Sequence, residues 1–200
     1  MGKIDRSFVY KRFKNILIKN YDKNIADSIW EEADVNLKRL LKKYNYISFD
    51  EKMMVLPLAA IYEALKKYDD EHALDLLIQY GKQRGNDFST MIAKVTSFPG
   101  LSIMLGKNMP QLMRLTSSPK KGYERRIVSE SRELVGVDIL VCPLYEMAKK
   151  LGMPEIASVV CLIDKGQMTG FKYIDYTRTK ALGNGDDCCD YRLRFDKSKK

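Results

Sequence analysis

The chain has 200 residues, 45% of them apolar and 30% charged, with a formal charge of +9. That size allows one domain with a useful core, and the composition is that of an ordinary soluble protein. No apolar run reaches the roughly 18 residues of a membrane span, and residues 1–13 are charged from Lys3 onward without a signal peptide's apolar centre, so a cytoplasmic address is expected.

The first 115 residues read as helical. Phe8, Phe13, Ile16 and Leu17 lie among lysines over residues 5–20. Ile25, Ile29, Ala33, Leu37, Leu40 and Leu41 follow helical spacing over residues 23–44. Ser48 opens "SFDE", a capping-box pattern that predicts a helix over residues 48–68. Asp69 or Asp70 caps a further helix running to about Gly81 or beyond. "SFPGLSIMLGKNMPQLMRL" reads as a broken helix, interrupted near Gly106 and Pro110. No repeat is evident, and the weakest join is "TSSPKKG", residues 116–122.

After Gly122 the period changes. "YERRIVSES" and "LVGVDILVC" predict two strands, with Val135, Val137, Ile139 and Val141 on one face. Pro143 opens a short helix that stops at Gly152. Pro154 opens another, to about Met168. "FKYIDYTRTKAL" and "CCDYRLRF" predict strands around the turn "GNGDD". In the last strand Cys189, Tyr191, Leu193 and Phe195 face one way, and Cys188, Asp190, Arg192 and Arg194 the other. The expected architecture is α+β: a helical region over 1–118, then a ββααββ region over 119–196 with a four-stranded antiparallel sheet covered by helices on one face. The two regions are expected to form one unit, with a disordered tail over 197–200.

The four cysteines, Cys142, Cys161, Cys188 and Cys189, are expected as thiols. Cys188 and Cys189 point to opposite faces of a strand and are poorly placed to bridge. No CxxC spacing marks a zinc knuckle. Much of the charge lies at the ends, in Lys3, Arg6, Lys11, Arg12, Lys14, Lys197, Lys199 and Lys200. It reads as solvated surface, and no nucleic-acid motif accompanies it.

Cys142 precedes Pro143 and so occupies an N-cap. Helix amides there would lower its pKa, although a small buried residue ending a strand fits equally. Cys161 and Asp164 share a helix face. Val160 and Ile163 make their surroundings apolar, so the carboxylate could serve as a general base with a raised pKa. A core cysteine beside a solvated aspartate is the plainer alternative. His72, the single histidine, lies in the acidic turn "DDEHALDLL" and reads as a surface residue. Met53, Met54, Met104, Met109 and Met113 read as core or groove lining. Gly183 and Gly185 read as turn glycines.

"CPLYEMAKKLGMPEIASVVCLID" followed by "YTRTKALGNGDDCCDYRLRF" resembles the L-2-amino-thiazoline-4-carboxylic acid hydrolase family. The resemblance rests on Cys142-Pro143, Leu151-Gly152-Met153-Pro154-Glu155, Cys161 with Asp164, and Cys189-Asp190-Tyr191-Arg192, with Tyr191 in place of the commoner Phe. "LPLAAIYEALKKY" is also similar to the family's helical half, so the likeness covers about residues 50–196. The ββααββ half also looks like vinyl-reductase-type small-molecule-binding domains. The resemblance implies hydrolysis of a cyclic isothiourea to N-carbamoyl-L-cysteine, on a small-molecule substrate. No cofactor or metal is expected, although three converging cysteines could instead hold a metal, and the absence of a nucleic-acid motif and of a long apolar run leaves no nucleic-acid or membrane partner expected. The resemblance places Cys161, Asp164, Cys142 and Cys189 in the catalytic site. Cys161 is the preferred nucleophile because Asp164, one helical turn away, could take its proton, and Cys142 is the stronger candidate if a low thiol pKa decides. Arg192 or Arg178 would hold the substrate carboxylate. A non-enzymatic ligand-binding or sensor domain on the same scaffold is the competing expectation.

Overall fold

A computed structural model describes residues 2–131 and 133–196 of the chain. The expected tail over 197–200 lies outside the described residues. The helical half comprises α1 (Phe13–Asn20), α2 (Lys23–Lys43), α3 (Phe49–Met54), α4 (Leu56–Tyr68), α5 (Ala73–Val95), α6 (Pro99–Lys107) and α7 (Met109–Thr116). The second half runs β1 (Glu124–Glu130), β2 (Leu134–Val141), α8 (Pro143–Lys150), α9 (Ala157–Thr169), β3 (Ile174–Thr177) and β4 (Cys189–Phe195). The α+β class and the ββααββ order are those read from the sequence.

Several boundaries differ from the sequence reading for local reasons. The helix over residues 5–20 begins only at Phe13. Before it, a 3-10 turn, Ile4–Arg6, is tied down by the Ile4 amide donating to Asp34 Oδ1 at 3.0 Å, and Ser7 Oγ takes the Tyr10 amide at 3.1 Å. The capping box forms as read: Ser48 Oγ accepts from the Glu51 amide, and Glu51 accepts from the Ser48 amide. The helix it opens breaks at Val55, because Pro57 brings no amide donor to the ladder. Helix α5 continues past Gly81 to Val95. Strand β3 is shorter than expected, and a 3-10 turn, Leu182–Asn184, occupies part of the loop to β4.

The strands form one antiparallel sheet in the order β1-β2-β4-β3. Val135 pairs with Leu193, Val137 with Tyr191 and Ile139 with Cys189, which puts the apolar positions of the two central strands on one face. That face packs with Met109, Met113, Ile174, Tyr176 and Leu182. A second cluster runs through α1, α2, α4 and α5 and takes in Ile156, Val159, Val160 and Ile163 of the ββααββ half. The two halves therefore share a core through α9.

The closest crossing in that core is between α5 and α9. A Cβ on Gly85 would stand 2.8 Å from the Leu162 carbonyl oxygen, and one on Gly166 would overlap the Gly85 backbone. Only glycine permits this approach. Its consequence is the height of α9 above the sheet, and Cys161 and Asp164 lie on α9.

Candidate active site

Between α3, the start of α8, α9 and the inner face of the sheet lies a cavity of about 220 Å³. Its walls include Asp50, Met54, Tyr123, Cys142, Tyr145, Cys161, Asp164, Gln167, Gly183, Cys189 and Tyr191. Four sequence-read site residues thus line one chamber: Cys142, Cys161, Asp164 and Cys189. They arrive by three different local rules. Cys142 ends β2 as the N-cap of α8. Cys161 and Asp164 share the sheet-facing side of α9. Cys189 takes the inward position of β4, opposite Ile139. Cys188 is buried but does not line the chamber, as strand alternation requires. All four cysteines are free.

Asp164 is the polar centre. Its Oδ2 accepts from Arg178 Nη1 at 2.9 Å and from the Tyr191 hydroxyl at 2.6 Å. Among the described residues no hydrogen bond falls on Oδ1, so the second oxygen is open to the chamber. Burial pushes the carboxyl above its usual range, and Arg178 and Tyr191 offset only part of that push. Arg178 also donates to the Tyr191 oxygen at 3.1 Å and to the Cys161 carbonyl at 2.9 Å. Its guanidinium locks together α9, β4 and the segment after β3.

The thiols are not preformed thiolates. Burial raises Cys142, Cys161 and Cys189 each to about 11. The helix N-terminus was expected to lower Cys142. The amides of Leu144 and Tyr145 do pull that way, but desolvation outweighs them. The 3-10 turn after β3 serves two of the thiols: the Leu182 amide donates to Cys189 Sγ at 3.3 Å, and the Gly183 amide favours the ionised form of Cys161. A Cβ on Gly183 would stand 3.0 Å from Cys161 Sγ and 3.1 Å from the α9 backbone, so this residue is more than a turn glycine. Among the described residues, no group of three His, Cys, Asp or Glu side chains is arranged to hold a metal ion.

Two expectations about cations change. Arg192 lies on the outer face of the sheet, where it and Arg126 each meet Asp138 at 2.8 Å. The β4 alternation that turns Tyr191 inward turns Arg192 away from the chamber. Arg178 does reach the site, but as the partner of Asp164. Its side chain is 6% exposed and does not line the chamber. The sequence reading missed Tyr191 as a polar participant and missed Tyr123, Gln167 and Asp50. Gln167 could have been found from its position one turn beyond Asp164, and Tyr191 from its inward position two residues after Cys189.

Together these features define an α+β protein whose sheet and helices surround a small chamber lined by three thiols and the carboxyl groups of Asp50 and Asp164. The chain belongs to the L-2-amino-thiazoline-4-carboxylic acid hydrolase family, whose model matches residues 50–193. No curated protein matches it. Among solved structures, the Fe(II) unliganded H-NOX protein from K. algicida is similar over 96% of each chain, at 9% identity and a TM-score of 0.40. Trafficking protein particle complex subunit 3 from Naegleria fowleri, covalently bound to palmitic acid, covers 82% of this chain and 96% of its own at 17% identity, with a TM-score of 0.33. An H-NOX protein from S. oneidensis in the Fe(II)NO state covers 92% and 97% at 12% identity, with a TM-score of 0.34. Likenesses of this size carry no argument about ligand or activity. Among the described residues, no helix is long and apolar enough to cross a membrane.

Proposed function

We propose that the chain hydrolyses a small cyclic amidine-type substrate, such as L-2-amino-thiazoline-4-carboxylate, at this chamber. The observation that carries the reading is the placement of Cys161 and Asp164 on one chamber wall, inside the span that matches the family. Cys161 is the nucleophile. Burial raises its pKa to about 11, so the thiol is protonated at neutral pH and attack needs a base. Asp164 lies one helical turn away with Oδ1 open, and it takes the thiol proton as sulfur adds to the amidine-like carbon.

Asp164 passes that proton to the ring nitrogen as the carbon becomes tetrahedral. The ring carbon–sulfur bond then breaks as the exocyclic amino group gives up a proton through Asp164 to the departing sulfur and becomes an imine. The product of this half is an isothiourea on Cys161. Water adds to the same carbon and loses its protons through Asp164. The Cys161 sulfur leaves as a thiol, and the released urea is N-carbamoyl-L-cysteine. Arg178 acts as a positioning residue for Asp164. Among the residues lining this chamber and the space adjoining it, Lys121 is the one with a basic side chain, and its ammonium lies 3.2 Å from Asp50. Lys121 receives the substrate carboxylate.

Ring opening of the thiazoline, followed by mass spectrometry, tests the reading. The folded wild-type chain yields N-carbamoyl-L-cysteine, and Asp164→Asn lowers turnover by about 10²–10³-fold. For a base, kcat/KM falls as pH drops through the Asp164 pKa, so the acid limb lies above the ordinary carboxylate range of about 4. Tyr191→Phe removes a hydrogen bond that favours the carboxylate and therefore moves that limb to higher pH. A wild-type chain that leaves the ring closed over many hours sinks the hydrolase reading and favours a ligand-binding role.

A further inference from the structure

The reactive chamber continues past Asp50, Tyr123, Asp164, Gln167 and Tyr191 into a second space of about 390 Å³ between α7 and α9. One side of it is apolar, with Ile92, Met109, Leu112, Met113, Met168 and Phe171, and the remainder carries Thr116, Ser117 and Lys121 beside the residues shared with the first chamber. Methionine side chains are flexible and polarizable and adapt to apolar groups of varied shape. The space has a fixed frame. Arg125 donates to the carbonyls of Arg114 at 2.8 Å and Ser117 at 3.1 Å, which pins the end of α7, while Met109 and Met113 are seated in the sheet-side cluster.

An amino-thiazoline carboxylate has about nine non-hydrogen atoms and needs only the first chamber, since pockets for drug-sized ligands begin near about 300 Å³. Its hydrolysis uses no apolar space beyond Asp164. We propose that the substrate carries an apolar arm of several carbons, with the amidine-type head at Cys161 and Asp164 and the arm among the methionines. This rests on the hydrolase reading and narrows its substrate class. The geometry fixes the direction: Asp164, Gln167 and Tyr191 border both spaces, so a head held at Asp164 aims its substituent between α7 and α9. The arm is uncharged, because the charged side chains bordering the space are already engaged, Asp164 and Lys121 with the head and Asp50 with Lys121.

The test uses S-alkylisothioureas from methyl to octyl, which keep the sulfur-bearing amidine head and vary only the arm. Calorimetry is expected to show the dissociation constant falling about two- to fourfold per methylene through the middle of the series. Leu112→Gln and Phe171→Gln, both at half-buried positions, each weaken the octyl compound about tenfold and leave the methyl compound within twofold. Having two variants on separate elements keeps the test standing if one fails to fold. A series flat in chain length, an octyl compound that does not bind, or a slope that survives in both folded variants overturns the proposal. Ring opening of the unsubstituted thiazoline is scored separately. Ring opening with a flat series overturns the arm alone, and a steep series without ring opening overturns the hydrolase reading alone.

Discussion

Cys161→Ser is expected to lower thiazoline turnover by at least ~10⁴-fold while the protein still folds. A serine hydroxyl is far harder to ionise than even a thiol raised to about 11, and Asp164 is too weak a base to compensate. The structural cost is modest. Burying a hydroxyl in place of a thiol at this half-buried position costs about 1–2 kcal/mol, and the Gly183 amide beside it remains a partner. Cys142→Ser and Cys189→Ser provide the comparison. Their thiols line the same chamber and are raised to the same extent, so acidity does not single out a nucleophile. Position does, because only Cys161 shares a helix face with Asp164. The other two variants are therefore expected to keep turnover within about tenfold of wild type. Thermal melts on all three separate chemistry from folding.

The largest expected stability effect is at the helix crossing. Gly166→Ala places a methyl group into the Gly85 backbone, which has no flexible side chain to yield. Alanine's better helix propensity returns about 1 kcal/mol, but parting α5 from α9 strains the core that both halves share. A net loss of about 3 kcal/mol or more is expected in denaturant unfolding. Gly100→Ala in α6 is the control: a Cβ there meets nothing within 4 Å, so the substitution is expected to be neutral or slightly stabilising. Because Cys161 and Asp164 ride on α9, any folded Gly166→Ala protein should also lose turnover, whereas Gly100→Ala should not.

The fold was legible wherever the signal was local. The Ser48 capping box, the apolar alternation of β2 and β4, and Pro143 after Cys142 each act within a few residues, and each formed as read. The misreadings came from tertiary contacts. The local sequence leaves open how far α5 runs past Gly81, because the partner that Gly81 packs against, Val159 of α9, is distant in sequence. Residues 5–12 lost their helix to capture by Asp34, about 30 positions away. The site divides in the same way. Strand alternation sorted Cys189 inward and Arg192 outward, but it could not show that Tyr191 and Arg178 meet at Asp164, because those bonds span 27 and 14 positions. The acidity of Cys142 was misjudged because a sequence shows a helix start but not the depth of burial that outweighs it.

In this mechanism the substrate's amidine-like carbon becomes bonded to Cys161 before it reaches water. The Cys161 sulfur and the ring sulfur depart into the same chamber, and the adduct lasts for as long as water takes to add to it. Single turnover with the thiazoline labelled with carbon-13 at that carbon, quenched in acid and mapped by peptide mass spectrometry, tests this directly. The label is expected on the Cys161 peptide at early times, with the mass of the whole substrate added, and is later released as labelled N-carbamoyl-L-cysteine. Label on Cys142 or Cys189, or product forming with no label on any thiol at any quench time, contradicts it.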